Sequence, residues 1–361
     1  MNETEQAIAA DGTMVLNRSQ TKRLQRLFGP VQIHSQMGEE VDVDTTVLII
    51  LKKIMDSLVN RRPFPKVKAY LIGGAASYVA NHKCSYTDID LKFEMDMTGI
   101  TGISTFFNNI QNRVFDLLQE LSHHNRTSTY LKKKYIYDVY DDTDMWSIFS
   151  FRNNSGRHVE LKFVYRLARE YMFSTDSIKI DITPSNFDLT DASLPQQIIM
   201  SSAFGDLRLA LDHLEHRVID TNRPEDISGG GFLKYVKLKT RKFVDAKEGD
   251  ELHDMQVKMA QGYLNQLKKS NNGGKKFEPV PHFLLNHYNP GDHTGKLLFL
   301  ESLHAFYHSD VLRTLHHELV PELDLAVFQA KTKILNDIQK LRRARNAQNG
   351  NGSAQSENRH A

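Results

Sequence analysis

Between Thr45 and Asn60 the apolar residues Val47, Ile50, Leu51, Ile54, Met55 and Leu58 recur at i, i+3, i+4, the period of a helix with one buried side. Pro63 and Pro65 end that pattern, since proline lacks an amide hydrogen and fixes φ. The period then shortens to two. Val67 to Ile72 reads as a strand running into Gly73-Gly74, Ala75 to Asn81 as a short helix, and Asp88 to Glu94 as a second strand in strict alternation. A helix is expected over about Ser104 to Leu121. From Lys134 to Tyr165 β-branched and aromatic residues dominate, in YIYDVYD, MWSIFSFRN and RHVELKFVY. Asn154-Ser155-Gly156 separates the last two as the turn of a hairpin. MFSTDSIKIDI offers one more strand, and after Pro195 the helical period holds almost to the end, as in FGDLRLALDHLEHRVI, GFLKYVKLKTRKFV and AVFQAKTKILNDIQKLRRA.

These elements divide the chain into an α+β half and a helical half, with a break near residues 190–200. The expected boundaries are a largely disordered tail over 1–30, an α+β domain over 31–197, a helical domain over 198–345 and a polar tail over 346–361, where Asn, Gln, Ser and Gly replace large apolar groups.

Composition narrows the function classes. The 361 residues are 40% hydrophobic and 25% charged, ordinary for a packed globular protein, and the formal charge is +2. Any nucleic-acid surface must therefore be local. A single cysteine, Cys84, excludes intrachain disulfides and cysteine-based zinc sites and fits a reducing compartment. The polar, acidic start and the brevity of the longest aliphatic run, Val47 to Leu51, lead us to expect no targeting or membrane segment.

Residues i and i+2 of a strand share a face, so Asp88 and Asp90 project together while Ile89 and Leu91 turn to the core. Paired carboxylates call for a cation, and Mg²⁺ suits carboxylate with phosphate oxygens; D-x-D by itself is more often an exposed acidic edge. The glycines ahead of a helix alter the balance, because free amide groups and the helix dipole attract phosphate there. Gly73, Gly74 and the Ser77 hydroxyl are candidate triphosphate contacts, against the alternative of a plain tight turn. Glu160, alternating with Val159, Leu161 and Phe163, is a candidate third carboxylate, although a lone strand glutamate is commonly solvated. From Gly229 to Lys276 there are 11 Lys and Arg against 5 Asp and Glu, a surplus of +6 (11 − 5) suited to a polyanion. Gly230, Gly231 and Lys234 open a helix there as a second candidate phosphate contact, and Tyr235 is a candidate base-stacking residue; the alternative is a solvated helix face with Tyr235 in the core. The pairs His213/His216 and His316/His317 lack a third ligand in sequence and read as surface or capping residues. Cys84 has no histidine partner and reads as inert.

The blocks GGAAS…YTDIDLKF, WSIFSFRNNSGRHVELKF, FSTDSIKI and FGDLRLALDHLEHRVIDTNRPEDISGGGFLKY resemble the DNA polymerase β-like nucleotidyltransferase superfamily and, within it, the terminal nucleotidyltransferase 5 family of metazoan cytoplasmic poly(A) polymerases, over roughly Thr45 to Arg343. The resemblance implies a bilobal nucleotidyltransferase fold with a mixed-sheet catalytic lobe, a helical lobe and ATP between them. It implies that Asp88, Asp90 and Glu160 hold Mg²⁺ or Mn²⁺ in a two-metal, non-templated addition of adenosine from ATP to mRNA 3′ ends, stabilising the message. It further implies nucleotide contact by Gly230, Gly231 and Lys234, a cytoplasmic enzyme for which a nuclear pool is also compatible, and a recruiting protein partner, with endoplasmic reticulum association through that partner. Two positions depart from the family: Gly74 stands where relatives carry serine, and Lys92 where they carry an aliphatic residue, on the face of the aspartates. The rival readings are an oligonucleotide second-messenger synthase of the same superfamily, an inactive RNA-binding scaffold, and a metal-dependent phosphohydrolase.

Overall fold

The computed structural model describes residues 8–33, 43–59, 67–96, 103–122, 132–137, 144–152, 158–183, 197–227, 229–272, 279–289, 291–311 and 320–356. The chain forms two compact units, Met1–Thr221 and Asn222–Ala361.

The first unit runs β1 (Met14–Val15), α1 (Arg18–Leu27), β2 (Pro30–Ile33), β3 (Val43–Thr46), α2 (Val47–Val59), β4 (Val67–Ile72), α3 (Gly73–Ala80), β5 (Asp88–Met95) and α4 (Ile103–Ser122), then β6 (Lys132–Tyr137), β7 (Met145–Arg152), β8 (His158–Arg166), β9 (Ile178–Asp181), β10 (Ile199–Ser202) and α5 (Leu207–His216). Eight strands make one sheet in the order β1-β10-β9-β4-β5-β8-β7-β6. Every pair in it is antiparallel except β5 with β8, which is parallel. A parallel pair needs a crossover; α4 and the strands β6 and β7 supply it. The alternation expected for β4 and β5 is present, with Leu91 and Phe93 buried together with Leu161 and Phe163 of β8. The apolar sides of α2 (Ile50, Leu51, Ile54) and α4 (Ile110, Val114) belong to the same core. The hairpin of β7 and β8 forms as the pattern predicts, and its connection, Asn154-Ser155-Gly156, lies outside the described residues.

Three expectations about boundaries change. Residues 1–30 are not simply a tail. Asn17 caps α1, its side chain accepting from the Gln20 amide at 2.8 Å while Gln20 accepts from the Asn17 amide at 2.9 Å, a reciprocal arrangement that satisfies two orphan donors. Leu24, Leu27 and Phe28 are buried in the sheet's core; so few apolar residues in a polar segment make too weak a periodic signal to be read. The unit boundary lies at 221/222 and not at 197/198, because β10 pairs with β9 and β1 and so extends the sheet. Helix α5 then packs Leu207, Ala210 and Leu214 into that core.

The second unit holds α6 (Gly229–Thr240), α7 (Gly249–Asn272), α8 (Pro279–His287), α9 (His293–Tyr307) and α10 (Val320–Ser356). Here α10 continues past Asn346 into the expected polar tail. Phe232 packs against Tyr263 and Phe306 with ring centroids 5.0 Å away in each case, and this aromatic cluster ties α6, α7 and α9 together. Among the described residues no helix is long and apolar enough to cross a membrane.

Replacing Leu24 by alanine should remove about 3 kcal/mol of unfolding free energy, as for other fully buried leucines. Denaturant melts of the two proteins give that difference directly, and a change near zero would return α1 to the status of a tail.

Candidate active site

The parallel pair sets the geometry. Asp90 and Glu160 are Cα partners across β5 and β8, and Asp88 is paired with His158. Neighbouring strands lie about 4.8 Å apart, so the carboxyl groups of Asp90 and Glu160 stand side by side, with Asp88 two residues along on the same face. Lys162, two residues after Glu160 and on that face too, inserts between them. Its Nζ lies 2.7 Å from Asp90 Oδ1 and 3.7 Å from Glu160 Oε2. Lys162 is absent from the residues expected in the site, although the strand alternation that marks Glu160 marks it equally.

Burial pushes the Glu160 carboxyl up to about 8, with the Asp90 charge adding to the effect and Lys162 opposing it. Lys162 is drawn the other way: burial would lower its affinity for a proton, but Asp90 and then Glu160 outweigh burial and hold it above its ordinary value. The ammonium of Lys162 is thus held by the same carboxylates whose charge it offsets.

Gly73 binds the glycine turn to this cluster. Its φ is +67°, and a Cβ there would meet Asp90 Oδ2 at 2.7 Å. Both the left-handed backbone and the close approach demand glycine. Gly74 differs: a Cβ would find Tyr86 Cβ at 3.5 Å, an ordinary contact, so space does not prevent the serine that the resemblance leads one to expect there. Ser77 is also corrected. Its hydroxyl is buried and lies 2.8 Å from the Thr175 carbonyl and 3.1 Å from that of Gly73. A hydroxyl has one hydrogen, and this one joins α3 to the 3₁₀ turn Ser174–Asp176 and does not point to a phosphate.

Lys92 shares the strand face but is spent elsewhere. It is 1% exposed and pairs with Glu94 and with Glu170 at 2.9 Å, while Lys179 reaches the same two carboxylates at 3.1 and 3.3 Å. Burial would raise Glu170; Lys92 and Lys179 override it and hold that carboxyl below its usual value. The charge on Lys92 thus balances a neighbouring network and not the aspartates.

In the second unit, Gly230 is exposed, with open space where a Cβ would project; Gly231 is buried and Lys234 half-buried. Tyr235 does not offer a stacking face. It is 1% exposed, its hydroxyl accepts from Gln256 Nε2 at 2.8 Å, and its ring meets Phe306 edge-on, because it falls on the apolar side of α6 with Phe232. The basic surplus is smaller at the surface than in the sequence. Lys237 is buried, donates to the His287 carbonyl at 2.7 Å and lies over the Tyr288 ring, and Lys239 pairs with Asp245 at 2.6 Å.

The groups expected to be inert are engaged in structure. Burial, then Glu215, pushes the Cys84 thiol up to about 11. His213 Nδ1 hydrogen-bonds Ser174 Oγ at 2.7 Å, and burial lowers the proton affinity of its imidazole; His216 pairs with Asp212. His316 and His317 lie outside the described residues.

Hard carboxylate oxygens from two adjacent strands, with an ammonium as stand-in cation among them, are a donor set that fits Mg²⁺ or Mn²⁺. A nucleotidyl transfer also needs a phosphate cradle, and the α3 N-terminus beside Asp90 has that character.

The sequence profile of a nucleotidyltransferase family matches residues 16–327. Terminal nucleotidyltransferase 5D of Homo sapiens is 30% identical over 304 residues, 80% of this chain and 76% of that protein. The chain belongs to the terminal nucleotidyltransferase 5 family. Its similarity extends to terminal nucleotidyltransferase 5B of Xenopus tropicalis, 31% identical over 69% of this chain and 65% of that protein, and to 5C of Gallus gallus, 28% identical over 86% and 81%. As a member of this family the chain is a nucleotidyltransferase. A solved tRNA-processing enzyme in an apo form aligns over 72% of this chain and 59% of its own at 14% identity and a TM-score of 0.35, a likeness too low to carry weight.

In this family member, Gly73→Ala should cost about 1–2 kcal/mol for the left-handed backbone and abolish nucleotidyl transfer by displacing Asp90, whereas Gly74→Ser should fold and transfer normally; melts and activity of the two variants check both. Glu160 keeps its proton to about pH 8 when folded and releases it near 4.5 when unfolded, so the folded state holds the extra proton between those values and its stability falls as pH rises through them. The metal-free melting temperature of wild type, compared with Glu160→Gln, should therefore decline between about pH 5 and pH 8, and the difference should close when Mg²⁺ is added.

Proposed function

We infer that this nucleotidyltransferase is a poly(A) polymerase that adds adenosine from ATP to RNA 3′ ends without a template. The observation that carries the reading is the alignment of Asp88, Asp90 and Glu160 along one polar face through the parallel register of β5 and β8. The names of the relatives support terminal transfer, and the surplus of basic residues from Gly229 to Lys276 supports a polyanionic acceptor.

Asp88, Asp90 and Glu160 would hold Mg²⁺ or Mn²⁺, which supplies Lewis-acid charge for a phosphoryl transfer, in a two-ion arrangement on this reading. The chain's own contributions are orientation and charge. Gly73 and Gly74 let the backbone amides at the α3 N-terminus approach the triphosphate. Glu160 would complete the oxygen set, giving up its own proton when the ion binds, since burial and the Asp90 charge raise its proton affinity only in the ion's absence, and the proton of the attacking 3′-hydroxyl passes to solvent. The hydroxyl oxygen attacks the α-phosphorus, the bond to the β-phosphate breaks, and pyrophosphate leaves; no covalent enzyme intermediate is required. Lys162, already bridging Asp90 and Glu160, offsets the negative charge that gathers at the reacting phosphate.

Gly230, Gly231 and Lys234 are further nucleotide contacts on the same reading. The biological extension is stabilisation of messenger RNA in the cytoplasm, with a protein partner recruiting the enzyme to its transcripts, including those at the endoplasmic reticulum surface.

The test is primer extension of an A-tailed oligoribonucleotide with each of the four NTPs. ATP should be the preferred substrate, and Asp88→Ala with Asp90→Ala should lower extension below about one-thousandth of wild type. Retained extension in that variant, small oligonucleotides formed without a primer, or phosphate release without extension would each sink the proposal.

A further inference from the structure

Helix α9 is capped by Asp292, whose carboxylate accepts from the Gly295 amide at 2.9 Å. It buries Phe299, Leu300, Leu303 and Tyr307. On the flank of that apolar stripe stand His304 and His308, one turn apart at i and i+4, so their rings share a side of the helix. Their centroids are 4.5 Å apart. Helix α10 faces them with Asp324, beside Leu323 and Val327, which are buried.

The three side chains converge on one small volume. His308 Nε2 lies 3.0 Å from Asp324 Oδ2 and 3.2 Å from Oδ1, and His304 Nε2 lies 3.6 Å from Oδ1. One ligand atom from each residue falls within 4.8 Å of the others, and among the described residues these are the histidine, cysteine and acidic side chains that gather so closely. Two atoms bound to one tetrahedral zinc at about 2.0–2.1 Å stand roughly 3.3 Å apart. The separations between the imidazole nitrogens and Asp324 bracket that edge, so an ion could be accepted with small rotations of side chains that are already in place.

We propose that His304, His308 and Asp324 bind a first-row transition-metal ion, zinc foremost, which staples α9 to α10. Two imidazoles and one carboxylate suit zinc, whereas magnesium and calcium favour oxygen alone. All three ligands are partly exposed, which leaves the remaining coordination positions to water. The site shares no residue with the Asp88, Asp90 and Glu160 set, and its role is structural. The ion replaces the proton by which His308 hydrogen-bonds Asp324 and makes the connection between the helices independent of it.

The experiment uses the full chain carrying Asp88→Asn and Asp90→Asn, which removes the competing carboxylates. Chelator-buffered zinc is titrated against a competing dye, and thermal melts are recorded at each free zinc concentration. One equivalent should bind, and above saturation each tenfold rise in free zinc should add an equal increment to the melting temperature. His304→Gln with His308→Gln should abolish both effects. Asp324→Asn, which can still accept hydrogen bonds but is a poor zinc ligand, should weaken binding at least about tenfold while leaving the metal-free melting temperature near that of the parent. Cobalt should give a visible band without the near-ultraviolet thiolate absorption that Cys84 would produce. Zinc stoichiometry and affinity unchanged in the double histidine variant, or an absence of zinc-dependent stabilisation in the parent, would overturn the proposal.

Discussion

The register of β5 against β8 is the constraint on which the first unit depends. Side chains alternate along a strand, so a slip of β5 by one residue would turn Asp88 and Asp90 toward the core, away from Glu160 of β8, and Leu91 and Phe93 toward water. The apolar face fixes the register. Phe93 and Phe163 are Cα partners and stack with centroids 4.9 Å apart and planes 13° from parallel, and Phe149 of β7 meets Phe163 edge-on at 5.6 Å. Such aromatic contacts add to the burial of their large areas. Chemistry on one side of the sheet is thus aligned by packing on the other.

The polar side of the same strands is divided by charge. Toward the end of β5, Lys92, Glu94, Glu170 and Lys179 form a group of two cations and two anions, closed on itself and lying by Tyr70, whose ring centroid is 4.6 Å from Lys179 Nζ. At its beginning, Asp90 and Glu160 face Lys162, with Asp88 two residues along on the same strand face. The first group holds the sheet; the second lines the candidate site. The difference lies in which residues follow the aspartates by two and four positions along one strand.

The parts of this arrangement that follow from local rules are legible in the sequence. Alternation shows the shared face of Asp88 and Asp90, and the glycines before a small-residue run mark the turn into α3. What is not legible depends on partners distant in the chain. Ser77 is withdrawn from the site by the carbonyl of Thr175, and Tyr235 by Gln256 and Phe306. Neither partner is marked by any local pattern. The expected unit boundary fails because β10 is four residues long, and a strand of that length acquires meaning only from the strands it pairs with. Lys162 is legible by the same alternation that reveals Glu160, and His304 with His308 by helical spacing; in each case the carboxylate that completes the residue's role comes from another element.

On the proposed function, Lys162 gives metal uptake at Asp90 the character of an exchange. An ion arriving there must displace an ammonium already 2.7 Å from the carboxylate, so its apparent affinity is the intrinsic affinity scaled by the fraction of molecules in which the lysine has withdrawn. A sodium or potassium ion carries no more charge than the group it would evict and gains little by the trade. A divalent ion brings one charge more. On that function the ammonium would set a threshold that favours divalent ions over the more abundant monovalent ones.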